Sequence, residues 1–151
     1  AQTPNVGALN VILSTAMTNT KSFDGTDTAG TALALIYTAG ANGSRVDQIT
    51  CRFASTNGAT ASGTSNATVV RFWANNGSAN TTAGNNLYLG EIALPATAVT
   101  ALATAITTVY YPTLPVGGLN LPASYRIYAG TTVAAGGTNI GIAVNAMGGD
   151  Y

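Results

Sequence analysis

Short runs of β-branched, aromatic and aliphatic residues recur along the chain, separated by clusters of Gly, Asn, Ser and Pro, and helical periodicity is almost absent. In the first run, positions 6–17, Leu9, Val11 and Leu13 alternate with Asn10, Ile12 and Ser14, and a polar loop through Lys21, Asp24 and Asp27 follows. The second run, 32–38, is predicted to place Leu33, Leu35 and Tyr37 on one face. Next comes AGANGS at 39–44, whose Asn42-Gly43 pair tolerates positive φ and so predicts a tight turn and a hairpin into the third run. That run, 45–55, sets apolar Val46, Ile49, Cys51 and Phe53 against polar Asp47, Gln48, Thr50 and Arg52. The slip in alternation at Asp47 and Gln48 predicts a β-bulge.

Positions 56–66 and 75–86 are loops, and between them lies a fourth run, 67–74, with Val69, Val70, Phe72 and Trp73. A fifth run, 87–94, is closed by Pro95, which has no N–H to give a sheet ladder. Over 96–105 a helical face of Val99, Leu102, Ala103 and Ile106 competes with extended chain, which the Thr content and the following TTVYY favour. The sixth run, 106–111, ends at Pro112, and LPVGGLNLPAS at 114–124 reads as a turn-rich connection. The seventh and eighth runs are 125–132 and 139–147, joined by 134–138. About eight strands in 151 residues predict one all-β domain spanning 1–151, an antiparallel β-sandwich of jelly-roll type.

Charge is what the composition lacks. Charged residues make up 7% of the chain, against roughly a quarter in ordinary soluble proteins, while the hydrophobic share is an ordinary 46%. The formal net charge is zero, so no self-repulsion opposes association. Lys21, Arg45, Arg52, Arg71 and Arg126 are scattered singly, which argues against nucleic-acid binding. Histidine is absent, so no Ser-His-Asp triad can be built, and the lone Cys51 reads as a small buried residue. The longest apolar stretches, such as 32–37, fall far short of the ~18 residues of a membrane span, and no membrane partner is expected. AQTPNVGALN has neither the basic nor the apolar region of an attached signal peptide.

The remaining candidates are read conservatively. Asp24 and Asp27 in DGTDTAG supply turn and cap oxygens, being too few for a calcium loop, and the sequence identifies no third ionisable group to join them in acid–base work. Glu91 is read as the ion-pair partner of an arginine at a surface or interface. Sequons at Asn42, Asn66, Asn76 and Asn80 are the chance product of a chain rich in Asn, Ser and Thr, and the pairs Gly117-Gly118, Gly136-Gly137 and Gly148-Gly149 are read as loop residues. Tyr110, Tyr111, Tyr125 and Tyr128 suit a core edge or subunit interface better than a sugar surface. No catalytic residue, cofactor or metal site is expected. An enzyme would need a cleft converging on Asp24, Asp27 or Glu91.

The ordered set DGTDTAG, YTAGANGSRVDQI, VVRFW, LYLGEIALPATAVTALATA, LNLPASYRIYAG and a closing GGDY spans nearly the whole chain. It resembles a family of small tailed-bacteriophage and prophage virion proteins, some members of which look like capsid decoration, or cement, proteins. The resemblance implies a structural β-sandwich on the outer surface of the virion head, made in the host cytoplasm. It would bind the major capsid protein and itself, with a homotrimer at local three-fold axes as the leading assembly and dimers or pentamers as alternatives. The competing expectation is a head-fibre or tail-associated module that binds a receptor or carbohydrate through exposed rings such as Trp73. A surface-layer or pilus-type subunit is a further structural alternative.

Overall fold

The computed structural model describes residues 3–5, 11–13, 24–29, 32–55, 62–99, 109–110 and 117–151. Among the described residues there are ten strands: β1 (Thr3–Asn5), β2 (Val11–Leu13), β3 (Ala34–Thr38), β4 (Ser44–Ser55), β5 (Thr68–Asn75), β6 (Asn86–Leu94), β7 (Val109–Tyr110), β8 (Leu119–Leu121), β9 (Arg126–Thr131) and β10 (Ile140–Asp150). The described helical content is one 3-10 turn, Ala83–Asn85.

All the strand pairs are antiparallel and form two sheets. In one, β10 and β4 lie side by side at the centre, with β1 and β2 in succession along the outer side of β10 and β7 and β8 along the outer side of β4. The other runs β3-β9-β5-β6. Counting β1 with β2 and β7 with β8 as single interrupted edges gives eight lanes, the number expected from the sequence. The lanes pair β1/β2 with β10, β3 with β9, β4 with β7/β8 and β5 with β6. The first half of the chain therefore runs against the second as one ribbon folded over on itself, which is the winding of a jelly roll.

Inward-facing Ile36, Val46, Ile49, Phe53, Phe72 and Ile142 fill the space between the sheets, each 2% exposed or less. Burying each such side chain contributes about 1.5–3 kcal/mol. Cys51 lies in the same core, and burial pushes its thiol from the ordinary 9.0 up to about 12. A second, smaller cluster of Leu33, Trp73 and Tyr128 is separate from this core, with Tyr88 packed against it.

The bulge predicted in the third run is present. Gln48 faces Met147 and Val46 faces Gly148, so Asp47 is the extra residue of β4.

Other expectations are corrected. The turn at Asn42-Gly43 forms, with the Gly43 N–H on the Gly40 carbonyl at 3.1 Å, but it does not make a hairpin. β3 pairs with β9 and β4 with β10, so the turn is a corner that carries the chain from one sheet to the other. The predicted face of Leu33, Leu35 and Tyr37 is also broken. A register shift between Leu35 and Tyr37 returns Tyr37 to the core side with Ile36, while Leu35 lies beside Tyr128 on the outer face, 44% exposed.

The connection at 114–124 contains a strand, β8, and Gly148-Gly149 belongs to β10 rather than to a loop. In the ambiguous stretch, positions 97–99 are extended. The Ser65 N–H meets the Thr97 carbonyl at 2.8 Å and the Val99 N–H meets the Gly63 carbonyl at 2.9 Å. Positions 100–108 lie outside the described residues, as do most of the first run, Lys21, Tyr111 and Pro112.

Candidate functional site

The outer face of the β3-β9-β5-β6 sheet carries the sequence's candidate chemistry in three rows. Alternation along β5 sends Phe72 inward and Arg71 and Trp73 outward. In the first row Leu35, Tyr128, Trp73 and Tyr88 are successive cross-strand neighbours. In the second, Gly130, Arg71 and Glu91 stand side by side, and in the third Val69 faces Ala93. Leu89 is an extra residue between the first two rows on β6, since Trp73 faces Tyr88 and Phe72 faces Gly90.

Glu91 receives two hydrogen bonds on one carboxylate oxygen: the Arg71 Nε donates at 3.0 Å and the Tyr88 hydroxyl at 3.0 Å. The Arg71 hydrogen bond, followed by that of Tyr88, holds the Glu91 carboxyl below its ordinary range. The expectation that Glu91 pairs with an arginine is met, and the partner lies within the chain. A depressed folded-state pKa gives stability that is present above the ordinary carboxylate range and lost as pH falls through the folded value. The pair is solvated, with Glu91's side chain 47% exposed. Glu91→Gln is therefore expected to lower stability by only ~0.2–1 kcal/mol at neutral pH. Denaturation curves of the variant and the parent should converge well below the carboxylate range.

Beyond the ion pair, Ala67, Val69, Ala93, Leu94 and Pro95, with Thr68 and Thr132, line a shallow open depression of about 370 Å³. It is almost wholly aliphatic. Nothing ionisable lines it, so it offers contact area rather than chemistry.

Trp73 is buried on this outer face, 1% exposed, beneath the DGTDTAG segment. A Cβ on Gly25 would stand 2.9 Å from the indole Cγ and Cδ1, which requires a residue without a side chain there. Asp24 behaves as the sequence predicts. Its Oδ1 accepts the Thr26 N–H at 3.0 Å and the Thr26 hydroxyl at 2.8 Å, an Asx turn. Asp27 is buried, 7% exposed, and its backbone carbonyl accepts from the Asn80 side chain at 2.7 Å.

A second constellation sits at the sheet-to-sheet corner and joins three of the quoted motifs. Asp150 of GGDY accepts hydrogen bonds from the hydroxyls of Ser44 and Tyr37, both buried. Burial is the main reason the Tyr37 hydroxyl titrates above its ordinary value, and the Asp150 charge adds to it against the opposing hydrogen bond of Ser44. Tyr151 donates its N–H to the Gly43 carbonyl at 3.1 Å and its hydroxyl to Asn120 at 2.7 Å. Gly43, at φ +90°, has the Leu121 carbonyl 2.7 Å from where a Cβ would be. This carboxylate, serine and tyrosine hold a joint closed.

The other candidates disperse. The sequon asparagines work inside the fold: Asn66 donates to the Ala134 carbonyl, Asn76 to Asn85, Asn42 to the Tyr151 carbonyl, and Asn80 is buried. Tyr128 is buried and Tyr125 half-buried, whereas the side chains of Tyr110 and Tyr111 lie outside the described residues. Among the described residues no three of His, Cys, Asp and Glu converge as metal ligands, and no helix is long and apolar enough to cross a membrane. The separate outer cluster around Trp73 is what the sequence reading missed. The strict alternation of Phe72 and Trp73 was its one available signal.

Comparison of the chain with protein-family models, with curated proteins and with solved structures finds no match.

Proposed function

We propose that this chain is a structural virion protein of a tailed bacteriophage, a decoration or cement protein that binds the outside of the head. There it would stabilise contacts between major capsid protein subunits. The observation that carries this reading is the outer face of the β3-β9-β5-β6 sheet, where the central charges, Arg71 and Glu91, already neutralise each other beside an aliphatic depression. A neighbour can cover such a face without stranding an unpaired charge, whose desolvation would oppose assembly. The winding of the fold, the low charge and the motif set support the same reading. A shell protein acts by linkage: whatever binds the assembled lattice and not its separated subunits stabilises the lattice by mass action. Interfaces of ~800 Å² per partner repeated over many copies suffice, and the homotrimer is the assembly proposed.

The fibre-module reading draws less support, because it needs exposed stacking rings and Trp73 is covered. The test is to prepare heads with and without this protein and heat both. Complete heads are expected to keep their shape and genome to a higher temperature, and to retain the protein in high salt, since contacts without charge are weakly screened. Equal heat resistance of the two preparations, or release of the protein by salt alone, would overturn the proposal.

A further inference from the structure

We infer that residues 24–29 form a strap that opens as a unit, latched by Asn80, and that its opening uncovers Trp73 while the sandwich stays folded. Three observations carry this. First, the molecule holds two apolar clusters rather than one. The strap lies with Gly25 against Trp73 of the smaller, which also holds Leu33 and Tyr128 on the outer face, whereas the main core lies on the other side of the same sheet. Losing the cover leaves the inter-sheet packing intact. Second, two side-chain amides reach the backbone of the strap. Asn80 Nδ2 donates to the Gly25 carbonyl at 3.0 Å and to the Asp27 carbonyl at 2.7 Å, and Asn86 Nδ2 donates to the Asp24 carbonyl at 2.9 Å. Asn80 is 8% exposed, so one buried amide satisfies two carbonyls and serves as the latch. Third, the strap has bracing of its own, since Thr26 bonds to Asp24, and its downstream end is tethered by the N–H groups of Ala32 and Leu33, which both reach the Thr28 carbonyl. A segment with its own turn bonds can move without dissolving.

The open form exposes a stacking surface that the closed form hides. Any ligand that stacks on Trp73 would bind only the open form and draw the population toward it. The device is independent of the proposed role on a phage head.

Trp73 is the sole tryptophan, so its fluorescence reports on the strap alone. In the full chain, Asn80→Ala removes the latch and Gly25→Ala forces a methyl against the indole, at a φ of +66° that disfavours a side chain. Each variant is expected to raise the acrylamide quenching constant of Trp73 several-fold while the denaturant midpoint of the β-sheet signal stays close to that of the parent. In the unmodified protein, amides of 24–29 are expected to exchange with deuterium at denaturant concentrations where β5 and β9 remain protected. Trp73 staying shielded in both variants would overturn the inference. So would midpoints that fall in step with quenching, or exchange of strap and strands at the same denaturant concentration.

Discussion

Gly148→Ala is expected to lower folding stability by about 3 kcal/mol or more, a large part of the ~5–15 kcal/mol available to a domain. The added methyl would run into the carbonyl oxygen of Arg45 and stand 2.9 Å from both its carbonyl carbon and the Cα of Val46. These are backbone atoms of the neighbouring strand and cannot swing aside as a side-chain tip would. The crowding comes from the bulge. With Asp47 as an extra residue in β4, the two central strands of the sheet come together at a position on β10 that has no side chain to accommodate. Relief would require β4 and β10 to separate, which would break the longest ladder in the molecule. Chemical denaturation of the variant measures the loss. Gly84→Ala is the control, because nothing lies within 4 Å of its Cβ position, and it should change stability little. A loss under about 1 kcal/mol for Gly148→Ala would mean that the sheet relaxes locally without opening.

The second large effect is loss of stability in alkali. Cys51 keeps its proton to about 12 when folded, against an ordinary value of 9.0, because the core does not solvate a thiolate. A folded-state pKa raised above the unfolded one gives a contribution that is fully present below about pH 9 and lost as pH rises toward 12, since the unfolded chain gives up its proton first. Three units of separation correspond to ~4 kcal/mol by the top of that window, at ~1.4 kcal/mol per unit. Tyr37 shifts in the same direction and adds to the decline above its ordinary 10.0. Denaturant midpoints measured across this window should fall steeply for the parent and markedly less for Cys51→Ala, in which only the tyrosine component remains. The same slope in both proteins would show that the thiol ionises without unfolding.

How far this fold is legible in the sequence depends on the range of the signal. Alternation over 45–55 identified β4, its buried residues and its bulge, because each is set by the neighbouring side chains and the pleat. Pro95 marked the end of β6 for an equally local reason, the missing N–H. Asn42-Gly43 shows where local reasoning stops. The pair does make the turn, but whether a turn closes a hairpin or crosses between sheets depends on which strands are already waiting, and those come from positions 126–150. Tyr37 was misassigned to the face of Leu33 and Leu35 because one extra residue in a five-residue strand reverses the parity. At the candidate site, Glu91 was correctly seen as half of an ion pair. Its partner Arg71 could not be named, since twenty residues of loop and strand separate them in sequence. The quoted motifs at 37–49, 119–130 and 148–151 look unrelated as text, yet Asp150, Ser44, Tyr37 and Asn120 belong to one corner.

The placement of β10 has a consequence for how the chain must be made. Residues 140–150 fill the middle of the first sheet, between β1 and β2 on one side and β4 on the other. Until the ribosome has delivered them, β4 has a bare hydrogen-bonding edge and an apolar face with nothing beside it. β1 and β2 have no lane to join. Folding from the N-terminus as synthesis proceeds is therefore closed to this topology, and closure must wait for contacts between the two ends of the ribbon, which makes it slow. During that wait the exposed edge is open to strands of other copies emerging nearby. The sparing use of long apolar runs, with Thr, Asn and Gly interrupting nearly every strand, then serves the unfinished chain as much as the finished one.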